Sequence, residues 1–125
     1  SEDWIMATWT IEEMDCENTA GQVNVVVKVV WKVSDSDAKN TACCTKNTSF
    51  TYTAGGSFTP YEDLTQAQVL GWVQDSLGTA GVTFYETLLT DQLAIYAERF
   101  PEDTGKDIFC EATYVPEQPT PLPWG

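Results

Sequence analysis

The segment from Leu64 to Gly78 constrains the fold of this chain more than any other. In Leu64-Thr65-Gln66-Ala67-Gln68-Val69, Thr65 stands where a helix N-cap belongs and Gln68 follows three residues later, the pattern of a capping box. Leu64 and Val69 flank it as a hydrophobic staple. Val69, Leu70, Val73 and Leu77 then recur at helical spacing, with Trp72 widening the stripe and Gly78 in the place of a C′ glycine. These signals predict a helix over 65–77 with one face to bury. A second helix is expected over 82–99, its stripe made by Tyr85, Leu88, Leu89, Leu93, Tyr96 and Phe100 and its end set by Pro101. The short Gly78–Gly81 link predicts a helical hairpin.

The partner for those helices lies in the first 53 residues. Ile5, Ala7, Trp9 and Ile11 alternate with Met6, Thr8 and Thr10, which is strand periodicity, and the acidic stretch from Glu12 to Asn18 is read as a turn. Val23, Val25, Val27, Val29, Trp31 and Val33 share one face of a second strand, with Lys28 and Lys32 on the other. Asp35-Ser36-Asp37 breaks that run, and a third strand is expected from about Asn40 to Thr53. Ile108, Cys110, Ala112 and Tyr114 alternate as a candidate fourth strand over 108–115. The expected fold class is therefore α+β: an antiparallel meander of three strands, or four if 108–115 joins, followed by a helical hairpin packed on one face. Residues 1–115 form a single domain, with the sheet in about 4–53. Residues 116–125, with Pro116, Pro119, Pro121 and Pro123, form an extended tail.

Six basic residues against 19 acidic ones give a net charge of −13. Such a field repels nucleic-acid backbones and anionic membranes, so neither is an expected partner. It keeps a protein soluble, and it also suits a basic partner surface or mimicry of nucleic-acid charge. The opening SEDWIMATWT lacks a basic start and a continuous apolar run, so no secretory signal is expected.

Histidine is absent, which removes the usual base for nucleophilic catalysis. Paired carboxylates are arithmetically available, but the acids fall in expected turns and solvated faces, and no spacing singles out two. Asp35-Ser36-Asp37-Ala38-Lys39 starts like a calcium loop but puts Lys39 at the third ligand position. Gly55-Gly56 lacks the lysine and helix of a phosphate loop. Cys16, Cys43, Cys44 and Cys110 have no CxxC spacing, and a zinc site would need all four although the adjacent pair points to opposite faces of a strand. No enzyme, cofactor or metal is expected. The cysteines are read as buried thiols, with a Cys16–Cys110 bridge open to the chain under oxidising conditions. Trp31 and Trp72 are placed for the core, and Trp4 and Trp9 lie nearer the start. Trp124, after Leu122-Pro123, can anchor the tail in an apolar pocket of its own domain or of a neighbour.

The run from Phe58 to Gly78, FTPYEDLTQAQVLGWVQDSLG, resembles the central segment of small uncharacterised proteins from marine tailed phages, cyanophages among them. In that family it follows a β-rich half with a W-V-S-D hairpin, matched by Trp31-Lys32-Val33-Ser34-Asp35, and the chain ends in an LPW tail, matched by Leu122-Pro123-Trp124. Cys43-Cys44 departs from that pattern, and the stretch from Pro101 to Val115 is longer than usual. The resemblance implies a phage source and a non-catalytic structural or accessory protein of the virion, on the capsid or in the tail, made in the host cytoplasm. Its expected partners are other phage structural proteins and copies of itself. Expected contact residues are the sheet edges together with Trp4, Pro119, Pro121, Leu122, Pro123 and Trp124. The alternative is an acidic early phage protein that binds a basic host protein as a nucleic-acid mimic.

Overall fold

The computed structural model describes residues 7–110 and 121–124. Strands β1 (Thr8–Thr19), β2 (Gln22–Ser36), β3 (Thr41–Ser49) and β4 (Asp107–Ile108) form one mixed sheet in the order β1-β2-β3-β4. The first three pair antiparallel, and β4 pairs parallel with β3 through Thr41↔Asp107 and Ala42↔Ile108. With the helix α1 (Gln66–Arg99) packed on it, the chain has an α+β fold.

The acidic stretch read as a turn is strand. β1 continues through Glu12 to Thr19, and the reversal comes at Ala20-Gly21, both with positive φ, between the paired Thr19 and Gln22. Two central residues with positive φ are what a tight two-residue hairpin needs. Alternation is hidden in the sequence because the register shifts between Ile11 and Glu13, Asp15 and Cys16, and Glu17 and Thr19. Such bulges re-phase the strand. Trp9, Ile11, Met14 and Cys16 thereby stand opposite Val33, Trp31, Val29 and Val26, and all eight belong to the core cluster or pack against it. Glu13 and Asp15 are placed on the other face, opposite Val30 and Lys28.

The helix starts as its sequence signals predict. Thr65 caps it, its Oγ1 accepting from the backbone N–H of Gln68 at 3.2 Å. Leu64 and Val69 are both buried, as a staple requires. The Gln68 side chain does not turn back to the cap; its Nε2 donates to Thr59 Oγ1 at 3.3 Å. Gln66 Oε1 accepts from the backbone N–H of Ile11 at 3.0 Å, which ties the first turn to β1 at its first bulge.

A helical hairpin over 65–99 is not shown. Gly78, with φ 76° and ψ 168°, leaves helical geometry, but the helix resumes at the next residue. Thr79, Ala80 and Gly81 are helical, so the expected four-residue link shrinks to a one-residue kink. Gly78 tolerates that φ because it has no Cβ. Both segments bury residues in the same core: Val69 and Val73 before the kink, Leu89 and Leu93 after it. Trp31, 1% exposed, lies at the centre, with ring centroids 5.2 Å from both Trp9 and Tyr85 and its Nε1 donating to Thr48 Oγ1 at 2.9 Å. Burying an aromatic of this size while satisfying its N–H is worth several kcal/mol, on the order of 3.

β3 ends at Ser49, earlier than the expected Thr53, with the Phe50 N–H still donating to Val27 O at 2.8 Å before the chain leaves the sheet. Of the expected fourth strand over 108–115 only Ile108 is strand, in the two-residue β4; Phe109 and Cys110 are not, and 111–115 lies outside the described residues. Among the described residues no helix is long and apolar enough to cross a membrane.

Candidate functional site

Where β3 stops and the chain crosses towards α1, a cleft of about 400 Å³ opens. Its floor is Val25, Val26 and Leu64. Its walls are four aromatic side chains, Phe50, Tyr52, Phe58 and Trp72, and its other lining residues are Asn24, Thr51, Ser57, Thr59 and Asp75. The rings meet in two edge-to-face pairs. Phe50 and Trp72 have centroids 6.1 Å apart at 64°, and Tyr52 and Phe58 are 5.5 Å apart at 63°. Edge-to-face contact is one of the arrangements that the ring quadrupoles favour. The Tyr52 hydroxyl donates to Gly56 O at 2.9 Å, which fixes that ring on its own loop.

Trp72 was expected in the core and is there in part, half-buried against the core cluster, while its other side lines the cleft. Asp75, one turn further along the helix, stands exposed at the rim, and neither Lys nor Arg lines the cleft. Sequence reasoning did not single out Phe50, Tyr52 and Phe58 as a site. The available signal was a run of alternating aromatics continuing past the last β-branched residue of a strand.

The expected contact residues divide. Trp4 and Pro119 lie outside the described residues. Pro121 is exposed, and its carbonyl accepts from the Tyr61 hydroxyl at 2.9 Å. Leu122 and Trp124 are half-buried and pack against the core cluster of their own domain, with Pro123 half-buried between them. The end of the tail is thus seated on the chain that carries it. Tyr61 is pushed above the ordinary phenol range first by burial and then by the neighbouring Cys16.

The expected Cys16–Cys110 bridge is replaced by Cys43–Cys110, with Cα atoms 4.7 Å apart. Strand order supplies the reason. Cys16 lies on β1 at one edge of the sheet, whereas β4 at the opposite edge leads to Cys110, two residues past its end and beside β3. Cys43 projects from the face opposite to Ala42 and Cys44 and so meets it. Cys16 and Cys44 stand outside that disulfide, and burial followed by the Asp15 charge pushes the Cys16 thiol up to about 11.

On the face of the sheet away from Trp31, Asp15 accepts an ion pair from Lys28 at 3.2 Å. A hydrogen bond with Glu13 holds the Asp15 carboxyl below the usual range, and Lys28 adds to this against the opposing effect of burial. The segment that resembles the start of a calcium loop serves the β2–β3 hairpin: Asp37 Oδ1 accepts from the N–H groups of Lys39 at 2.8 Å and Asn40 at 2.6 Å. Among the described residues no three acidic or thiol side chains are grouped to hold a metal ion.

No curated protein and no solved structure matches this chain. A family model described as a domain of unknown function does match, over residues 4–114, which takes in the sheet, the cleft and the helix but stops short of the LPW tail. The chain belongs to that family, DUF7936.

Proposed function

We propose that this protein is a non-catalytic structural or accessory component of a tailed-phage particle, on the capsid or in the tail, and that it works through protein–protein contacts. The observation that carries the reading is the aromatic cleft. It presents four rings, several hydroxyls and one carboxylate, with Trp72 on the helix and Phe50, Tyr52 and Phe58 on the segment that leaves β3. Large, stiff rings that lose little rotamer freedom on binding are the side chains that dominate protein contacts. The phage source rests on the resemblance of the Phe58–Gly78 run, which contributes Phe58, Leu64, Trp72 and Asp75 to this cleft.

A second reading is favoured by the charge of −13: an acidic early protein that engages a basic host protein. Mass spectrometry of purified particles separates the two. A particle component is present in fixed stoichiometry through successive purification steps. Its absence from particles, with abundance in infected cells, would remove the first reading and leave the second.

A further inference from the structure

The cleft combines three features that together select a class of ligand. The first is the set of four aromatic side chains lining it, paired edge to face. The negative faces of such rings attract cations, and Trp does so most strongly. The second is Asp75 at the rim, with no Lys or Arg among the lining residues to neutralise it. The third is the chain's net charge of −13, which concentrates cations near any concave, low-dielectric surface. An anion would meet repulsion from all three, and a purely apolar group would draw nothing from the Asp75 carboxylate.

We propose that the cleft is a receptor for an arginine side chain presented by a basic partner protein. The planar guanidinium stacks on the rings, with Trp72 the principal platform, and donates to the Asp75 carboxylate, while the aliphatic stem lies against Val25, Val26 and Leu64. Arginine fits better than lysine because its delocalised cation stacks flat and is less strongly hydrated. The cleft's volume of about 400 Å³ is within the range of sites that enclose a small group.

This inference rests on the reading of the cleft as a contact site, and it is tested without any particle. The isotopically labelled full chain is titrated with N-acetyl-arginine amide and, separately, with its neutral isostere N-acetyl-citrulline amide, following the tryptophan indole N–H signals by NMR. The arginine compound is expected to give saturable shifts centred on Trp72. The citrulline compound should bind about tenfold more weakly, the scale of one cation–π contact with a partly desolvated carboxylate. Asp75→Asn should weaken arginine binding several-fold with the spectrum otherwise unchanged. Trp72→Leu should abolish it, and Phe58→Ala provides a second loss-of-ring variant should Trp72→Leu fail to fold. Equal binding of both compounds would overturn the proposal. So would the absence of saturable shifts at Trp72, or shifts spread over the acidic surface that vanish at about 0.5 M salt and are indifferent to these variants. A cleft indifferent to arginine leaves particle membership open, and absence from particles leaves arginine binding intact.

Discussion

The two ends of the sheet are built differently. At the end carrying the β2–β3 hairpin, polar groups and a covalent bond close the structure. Asp37 caps the turn, and Asn40 is buried between the amide of Lys106, which donates to its Oδ1 at 2.9 Å, and the carbonyl of Asp103. Lys39 Nζ reaches Pro101 O at 2.7 Å, and Tyr96 donates to Asp103 at 2.6 Å. The Cys43–Cys110 disulfide locks the segment after the helix onto β3. At the other end β3 stops, the aromatic rings touch by their edges, and an open cleft remains. Satisfied buried polar groups fix one arrangement because leaving any of them unpaired is costly. Rings meeting through dispersion and quadrupole terms hold their place while offering surface to a partner. One end closes the structure, and the other is where we propose that recognition takes place.

That contrast can be broken in order of expected effect. Leu89, fully buried next to Thr90, whose hydroxyl reaches Asp35, belongs to the closed end. Leu89→Ala should cost about 2–5 kcal/mol in urea unfolding, a large fraction of the roughly 5–15 kcal/mol that holds such a domain folded. Cys43→Ser removes a link between residues 67 apart in sequence and should cost about 2–4 kcal/mol relative to the oxidised protein. A reduced wild type as stable as the oxidised one would show that the closed end does not depend on the bond. Asn40→Ala strands the Lys106 N–H and should cost about 1–3 kcal/mol. Phe58→Ala, at the half-exposed cleft, should cost less than Asn40→Ala in the same measurement. If the order of these last two were reversed, the cleft would be a structural seam and not a recognition surface.

The smallest effect concerns acid. Because the folded Asp15 carboxyl titrates below its ordinary value of 3.8, its contribution to stability is present above that value. It is lost as pH falls through the ordinary value towards the folded one. Asp15→Asn should therefore flatten the loss of stability as pH falls below the ordinary carboxylate value of 3.8 and leave the shape of the curve above it little changed. An unchanged acid limb in the variant would show that the Lys28 and Glu13 contacts do not hold that carboxylate.

Much of the frame was legible in local chemistry. The cap at Thr65, the Leu64–Val69 staple and the valine-rich run of β2 act between residues close in sequence, so their signals survive in a one-dimensional reading. β1 was legible only as far as Ile11, because the bulges after it scramble the period-2 pattern, and a bulge exists only relative to the strand it pairs with. The helical hairpin was expected because Gly78 and Gly81 both read as breaks. Which glycine breaks a helix depends on how the two segments must pack, and here only Gly78 leaves helical geometry.

The cysteines and the cleft lay furthest from view. Four cysteines allow several pairings, and only the placement of β1 and β4 at opposite edges brings Cys110 to Cys43 and keeps it from Cys16. Phe50, Tyr52, Phe58 and Trp72 come from a strand end, a loop and a helix, and become one site only when β3 ends at Ser49 and the chain crosses from there to the helix beside Val25 and Val26. By itself the sequence determined the acidic charge, the α+β class, the start of the helix and the buried strand, because each follows from composition or from neighbours along the chain. The tertiary structure alone decided the strand register, the disulfide pairing and the aromatic cleft, because each depends on contacts between segments that chain connectivity leaves free to meet in more than one way.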